Sequence, residues 1–141
     1  MARDSYRAFL AAVPLFAHCN NRQLDQINRV AKEVTLPEGR VFVVQGDQGR
    51  EMYVITDGTA AVTRDGKPVA LLGRNDVVGE LAVLRHAPRN ATVTATSELS
   101  LLALAAEDLD PLLDEIPGLA KALLQAVVNR LDSEQPSEAP S

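Results

Sequence analysis

Val78-Gly79-Glu80-Leu81-Ala82-Val83-Leu84-Arg85-His86-Ala87-Pro88-Arg89-Asn90-Ala91-Thr92 is the stretch around which this chain is organised. A glycine opens a short apolar run, Leu81 to Leu84, long enough for one or two helical turns whose free N–H groups and positive dipole end suit an anion. The run closes on Pro88 and Arg89, and an arginine holds a phosphate diester through two parallel hydrogen bonds. Glu80, when ionised, only accepts hydrogen bonds, so it can take them from a hydroxyl such as a ribose 2′-OH. One cation, one carboxylate and bare amides describe a cradle for a nucleotide phosphoribose. Glycine, acid and arginine fall at some such spacing in many proteins, so the context of the stretch decides its meaning.

That context is β. Upstream, Val34-Thr35-Leu36, Val41 to Val44, Met52 to Thr56, Thr59 to Thr63 and Val69 to Leu72 are short, β-branched or aromatic runs bounded by turns. Downstream, Thr92 to Thr96 and Leu99 to Leu104 resume the series, so about eight strands are expected, at spacings typical of a sandwich or roll. The breaks include Asp57-Gly58 and Asp65-Gly66, dipeptides that suit tight hairpins, which predicts that consecutive strands pair as antiparallel neighbours.

Helices flank the strands. Asp4 or Ser5 is placed to cap a first helix in which Tyr6, Phe9, Leu10 and Val13 recur at helical spacing, with Pro14 ending it. After the Leu15-Phe16 corner, Asn20 and Asn21 offer a cap for a second helix striped by Leu24, Ile27 and Ala31. A C-terminal helical region starts near Glu107-Asp108-Leu109 and restarts after Ile116-Pro117. Leu119, Ala120, Leu123, Leu124, Val127, Val128 and Leu131 then form a broad apolar face. Residues 133–141 have no aliphatic side chain larger than alanine and are expected to be a disordered tail after a domain at 1–132.

Composition removes several function classes. A chain of 141 residues with 46% hydrophobic content fits one domain with a substantial core. Its formal charge of −5 opposes non-specific attraction to nucleic acid or an anionic membrane, so a small anionic ligand needs a local cation such as Arg89. Cys19 is the single cysteine, which leaves no intrachain disulfide and reads as a small, partly buried loop residue. The start of the chain lacks signal-peptide character and no run approaches ~18 apolar residues, so a soluble, cytoplasmic protein without a membrane segment is expected. His18 and His86 lie outside the strands and supply neither a metal set nor a catalytic partner set, and no glycine-flanked serine nucleophile is visible. The expectation is a non-enzyme with no metal and no cofactor.

Gly79-Glu80-Leu81-Ala82 with Pro88-Arg89-Asn90-Ala91-Thr92-Val93 resembles the phosphate-binding cassette of the cyclic nucleotide-binding domain family in residue types and spacing. Leu15-Phe16, Gly39, Gly46, Tyr53-Val54-Ile55 before Gly58, and Asp76 are similar as well, and the resemblance covers about residues 9 to 132. It implies a mainly β fold with flanking helices. This is an eight-stranded antiparallel β-roll, jelly-roll-like, with two N-terminal helices, a short cassette helix and C-terminal helices. It also implies ligand contacts from Gly79, Glu80, Leu81, Ala82, Arg89 and Asn90. On this resemblance Arg89 would take the cyclic phosphate and Glu80 the ribose 2′-OH, while N–H groups near Ala82 and Asn90 would complete the cage and the Gly79 carbonyl would approach the ribose. The chain departs from the family at Val77-Val78, where aromatic residues are frequent. It departs again at Asn90, where alanine commonly accompanies cAMP preference and serine or threonine cGMP preference. An asparagine amide has donors and an acceptor for either purine edge, or bends back onto local backbone, and the reading leans to cAMP with cGMP as the other ligand.

The resulting expectation is a ligand-sensing module whose last helix responds to cyclic nucleotide. The alternative is a ligand-independent roll that uses that helix to bind a partner protein or a second copy, through Pro117, Ala120, Leu124, Val127 and Leu131. No helix-turn-helix follows Leu131, so a DNA-binding function is not expected of this chain.

Overall fold

The computed structural model of the protein describes residues 2–85 and 88–134. It opens with α1 (Ala2–Ala12), a 3-10 turn at Pro14–Phe16, and α2 (Asn21–Val30). Five strands follow, β1 (Lys32–Leu36), β2 (Val41–Val43), β3 (Glu51–Asp57), β4 (Ala60–Arg64) and β5 (Lys67–Leu72). Then come β6 (Val77–Val78), α3 (Glu80–Arg85), β7 (Thr92–Ala95), β8 (Leu99–Ala105), α4 (Ala106–Glu115) and α5 (Leu119–Glu134). Among the described residues the strands form two four-stranded antiparallel sheets, in the orders β1-β8-β3-β6 and β2-β7-β4-β5. This is the expected eight-stranded antiparallel roll with its flanking and cassette helices.

β8 shows why the roll holds both sheet and helices. Successive side chains of a strand point to opposite faces. Leu99 and Leu101 therefore enter the roll interior with Val62, Val78 and Val93, while Leu102 and Leu104 pack outward on Phe16, Ile27, Leu109 and Ile116. A strand buried on both faces reads as a nearly unbroken apolar run, as Leu99 to Ala105 does. α2 starts at Asn20, whose side chain accepts from the Gln23 N–H at 2.8 Å while Gln23 Oε1 accepts from the Asn20 N–H at 2.8 Å, a reciprocal capping box. Cys19 is half-buried against the same helical core, and burial pushes its thiol up, which disfavours the reactive thiolate.

Several expectations are corrected. Consecutive strands do not generally pair; among the described residues only β4 and β5, joined at Asp65-Gly66, make a hairpin. Asp57-Gly58 instead carries the chain from one sheet to the other, packed on the connection between β7 and β8. There Thr59 N–H donates to Ser97 Oγ at 3.0 Å, and a Cβ on Gly58 would collide with the Glu98 carbonyl. An Asp-Gly pair specifies only a local bend, whereas burial of both faces of β3 and β8 selects their pairing. α1 begins at Ala2, so Asp4 and Ser5 lie within its first turn and do not cap it. The strand that completes the eight is Val77–Val78, too short to signal itself by alternation. α5 extends through Ser133 to Glu134, beyond the expected tail boundary, and residues 135–141 lie outside the described residues.

The broad apolar face of α5 is split. Leu119, Leu123 and Val127 are buried on the core, whereas Pro117, Ala120, Leu124 (57% exposed) and Val128 (42%) face away from it. The side chain of Leu131 lies outside the described set.

Candidate functional site

The chain enters the site from β6, turns at Gly79 and begins α3 at Glu80. Gly79 has φ +88, a left-handed conformation that costs an L side chain roughly 1–2 kcal/mol. Space forbids a side chain as well, because a Cβ there would lie 2.5 Å from Arg89 Nη1 and 2.9 Å from the Glu51 carbonyl oxygen. Glycine is thus what lets the Arg89 guanidinium lie against the start of the cassette.

Arg89 reaches that place because its backbone is clamped. Gly46 N–H donates to the Arg89 carbonyl at 2.8 Å, Arg89 N–H donates to the Asp47 carbonyl at 2.7 Å, and Gln48 bridges to Pro88. The Gln45 N–H donates to Thr92 Oγ1, and the Gln45 side chain exchanges two 2.9 Å hydrogen bonds with Asp65, tying the loop after β2 to the β4–β5 hairpin. Arg64 Nε donates to the Asn90 carbonyl at 2.8 Å. Sequence reading singled out Gly46 but missed Gln45 and Asp47 as supports, because a loop-to-loop backbone ladder leaves no periodic signal.

The Arg89 guanidinium carbon stands 5.9 Å from the Tyr53 ring centroid, within cation–π range. Tyr53 in turn meets Phe42 edge to face at 5.5 Å and donates its hydroxyl to Glu51 Oε1 at 2.9 Å. Burial pushes the Tyr53 hydroxyl up to about 12; the hydrogen bond to Glu51 and the Glu51 charge add to the rise, and the Arg89 charge opposes it. Arg89 Nη1 is buried and makes no hydrogen bond among the described residues. Leaving a charged donor without an acceptor away from water is costly, so the position suits an arriving anion.

Beside Gly79 a cavity of about 320 Å³ opens into the roll, within the ~300–1,000 Å³ usual for small-molecule clefts. Val62, Ala70, Leu72, Val78, Ala91 and Val93 form much of its apolar wall, and Ala126 and Asn129 of α5 close part of it. Glu80 is 2% exposed and lines this cavity, an unusual depth for a glutamate. Arg89 borders instead a neighbouring cavity of about 500 Å³ with Tyr53, Glu51, Arg50 and Lys32, so the two cassette charges flank Gly79 from different sides. Leu81 is half-buried in the first turn of α3, and Ala82 follows in the same helix, its side chain outside the described set. Asn90 is exposed, held through its carbonyl, and is not part of the cavity wall. His18 is exposed, and His86 lies outside the described residues. Among the described residues no three His, Cys, Asp or Glu side chains group to hold a metal, and no helix is long and apolar enough to cross a membrane.

A glycine-gated arginine, a buried glutamate nine residues before it and an apolar cavity inside a β-roll together match a known pattern. Residues 33–115, more than half of the chain, match the sequence model described as "Cyclic nucleotide-binding domain". The chain belongs to the cyclic nucleotide-binding domain family. It is 35% identical over 121 residues to a cyclic nucleotide-gated potassium channel of Rhizobium etli, covering 86% of this chain and 34% of that protein. It is 36% identical over 100 residues to a cAMP-dependent protein kinase regulatory subunit of Schizosaccharomyces pombe, covering 70% of this chain and 24% of that one. This cyclic nucleotide-binding domain therefore spans about a third or less of either relative. Among solved structures it is similar to the N-terminal domain of a transcriptional regulator from Streptomyces coelicolor A3(2). That similarity has a TM-score of 0.72 and 39% identity, and covers 88% of this chain and 92% of that one.

Proposed function

We propose that this domain is a non-catalytic sensor that binds a 3′,5′-cyclic nucleotide, favours cAMP over cGMP, and repositions α5 on binding. The observation that carries the reading is the buried Arg89 Nη1, without a hydrogen-bond partner among the described residues and held against Gly79, with the buried Glu80 lining the apolar cavity on the other side of that glycine. In this reading the guanidinium takes the cyclic phosphate, Glu80 takes the ribose 2′-OH, and the apolar wall receives the purine. The N–H groups of Leu81, Ala82 and Asn90, with the Gly79 carbonyl, complete the contacts. Similarity to the regulatory subunit of a cAMP-dependent protein kinase of Schizosaccharomyces pombe supports the choice of nucleotide.

Coupling to α5 follows from contact. α3 packs on α4 and α5, and α5 contributes Ala126 and Asn129 to the cavity wall. A ligand that displaces α3 shifts α5 only by its difference in affinity for the two arrangements. The exposed face of Pro117, Ala120, Leu124 and Val128 is the surface such a movement would present to a partner or a second copy.

That same face favours a second reading, a ligand-independent interaction or dimerisation module. Thermal unfolding with and without nucleotide separates the two. A ligand at ~100 times its dissociation constant adds about 2.7 kcal/mol, which at roughly 3 °C per kcal/mol is a rise on the order of 8 °C. An unchanged midpoint at millimolar cAMP and cGMP would leave the interaction module as the function.

A further inference from the structure

An arginine that grips a phosphate diester through two parallel N–H bonds has to present its guanidinium plane in one orientation, yet its side chain is long and rich in rotamers. In this chain the Arg89 backbone is clamped, by the Gly46 N–H on its carbonyl and by its own N–H on the Asp47 carbonyl, but those bonds do not aim the side chain. Among the described residues no hydrogen bond or ion pair holds the guanidinium, and Nη1 is buried without a partner. What the guanidinium does meet is the Tyr53 ring, whose centroid lies 5.9 Å from its central carbon, within the range where a cation and an aromatic face attract.

That ring is fixed at its backbone, its aromatic contact and its hydroxyl. Tyr53 lies in β3, in register with Ala103 of β8 on one side and on the other with Val78 of β6, the residue before Gly79. One strand pairing therefore carries both the ring and the glycine that admits the guanidinium. Phe42 meets the ring edge to face, at 5.5 Å and 85°, and the hydroxyl donates to Glu51 Oε1 at 2.9 Å.

A ring suits this place better than a carboxylate. A carboxylate there would hold the guanidinium by a salt bridge and compete with an arriving phosphate for the same N–H groups. A cation–π contact brings no such acceptor, so it restrains the cation and leaves its donors to the ligand. Ordering of a rotamer-rich side chain then takes place on folding and weighs less on binding.

We infer that Tyr53 is the positioning residue for the phosphate-binding arginine, its ring presetting the guanidinium that Gly79 admits. The inference rests on the cyclic-nucleotide reading and deepens it by assigning part of the affinity to a β3 residue outside the cassette.

The test is a calorimetric titration of cAMP into the whole protein and its variants, with the unfolding midpoint of each measured to confirm that it is folded. Tyr53→Leu and Tyr53→Met both remove the ring, the second with an unbranched side chain that adapts to irregular space. Each should bind cAMP roughly 3- to 10-fold more weakly than wild type. Tyr53→Phe, which keeps the ring and its contact with Phe42, should stay within about 2-fold. The deciding arm repeats Tyr53→Leu in an Arg89→Lys background. A lysine keeps the charge but has no plane for a ring to orient, so the second substitution should add less than about 2-fold there. Ring-less variants that bind as tightly as wild type overturn the inference. So does an equal loss from Tyr53→Leu in both backgrounds, which a merely structural role would produce. In either case the sensor reading stands, because the wild type still binds. A wild type that binds neither cAMP nor cGMP overturns both.

Discussion

Replacing Gly79 by alanine probes both the fold and the cassette, and its cost follows from two separable parts. The residue sits at φ +88, so an alanine there meets a backbone penalty of roughly 1–2 kcal/mol. The new Cβ would also lie 2.5 Å from Arg89 Nη1 and 2.9 Å from the Glu51 carbonyl. The arginine tip can swing aside. The carbonyl sits in β3, where Glu51 is in register with Ala105 of β8, and yields only by distorting the sheet. A further ~1–2 kcal/mol is reasonable for such crowding. The sum, about 2–4 kcal/mol, lowers the unfolding midpoint by roughly 6–12 °C at about 3 °C per kcal/mol. Gly39→Ala is the matched control, since Gly39 has φ +92 and a Cβ there would meet nothing within 4 Å, so it should show the backbone part alone. Differential scanning calorimetry gives the two midpoints. Because the arginine is what moves, Gly79→Ala should also weaken cyclic-nucleotide binding by on the order of 30-fold or more, about 2 kcal/mol, whereas Gly39→Ala leaves it unchanged. Equal midpoints for the two variants, with equal affinities, would refute the claim that Gly79 exists to admit Arg89.

Two further outcomes are expected. Asn20→Ala removes one of the two reciprocal bonds at the start of α2 and should cost about 1 kcal/mol in a denaturant titration, while an unchanged midpoint would mean that the box contributes nothing. Tyr53 should ionise near 12 by phenolate absorbance, and Arg89→Ala should move it higher by removing the opposing charge. Since its folded pKa lies above the ordinary 10.0, this hydroxyl stabilises the fold fully below pH 10 and that contribution is lost between pH 10 and about 12. A Tyr53 that titrates at 10 in the folded protein would contradict its burial against Glu51.

Much of this architecture is legible in the residues, and the failures have identifiable causes. The β-branched runs and the helical stripes of Leu24, Ile27, Leu119 and Leu123 depend on local periodicity, which the sequence carries directly. Strand partners depend on which faces are buried over long separations, so Asp57-Gly58 reads as a hairpin although it crosses between sheets. Half of the α5 face reads as core yet is exposed, because Leu124 and Val128 have the same hydrophobicity as the Leu123 and Val127 beside them and only rotation about the helix separates the pairs. At the site, the cassette residue types point to Gly79, Glu80 and Arg89, and the fold brings the Arg89 guanidinium against Gly79 and buries Glu80 beside it.

Whether the Arg89 and Glu80 cassette holds a cyclic nucleotide is tested most directly by isothermal titration of cAMP into the wild type and into Arg89→Ala, with circular dichroism confirming that both are folded. Saturable binding at one site per chain is expected in the wild type, and a loss of ~2–5 kcal/mol, roughly tens to thousands fold, in the variant. Binding of equal strength by Arg89→Ala, or none by the folded wild type, would contradict the assignment.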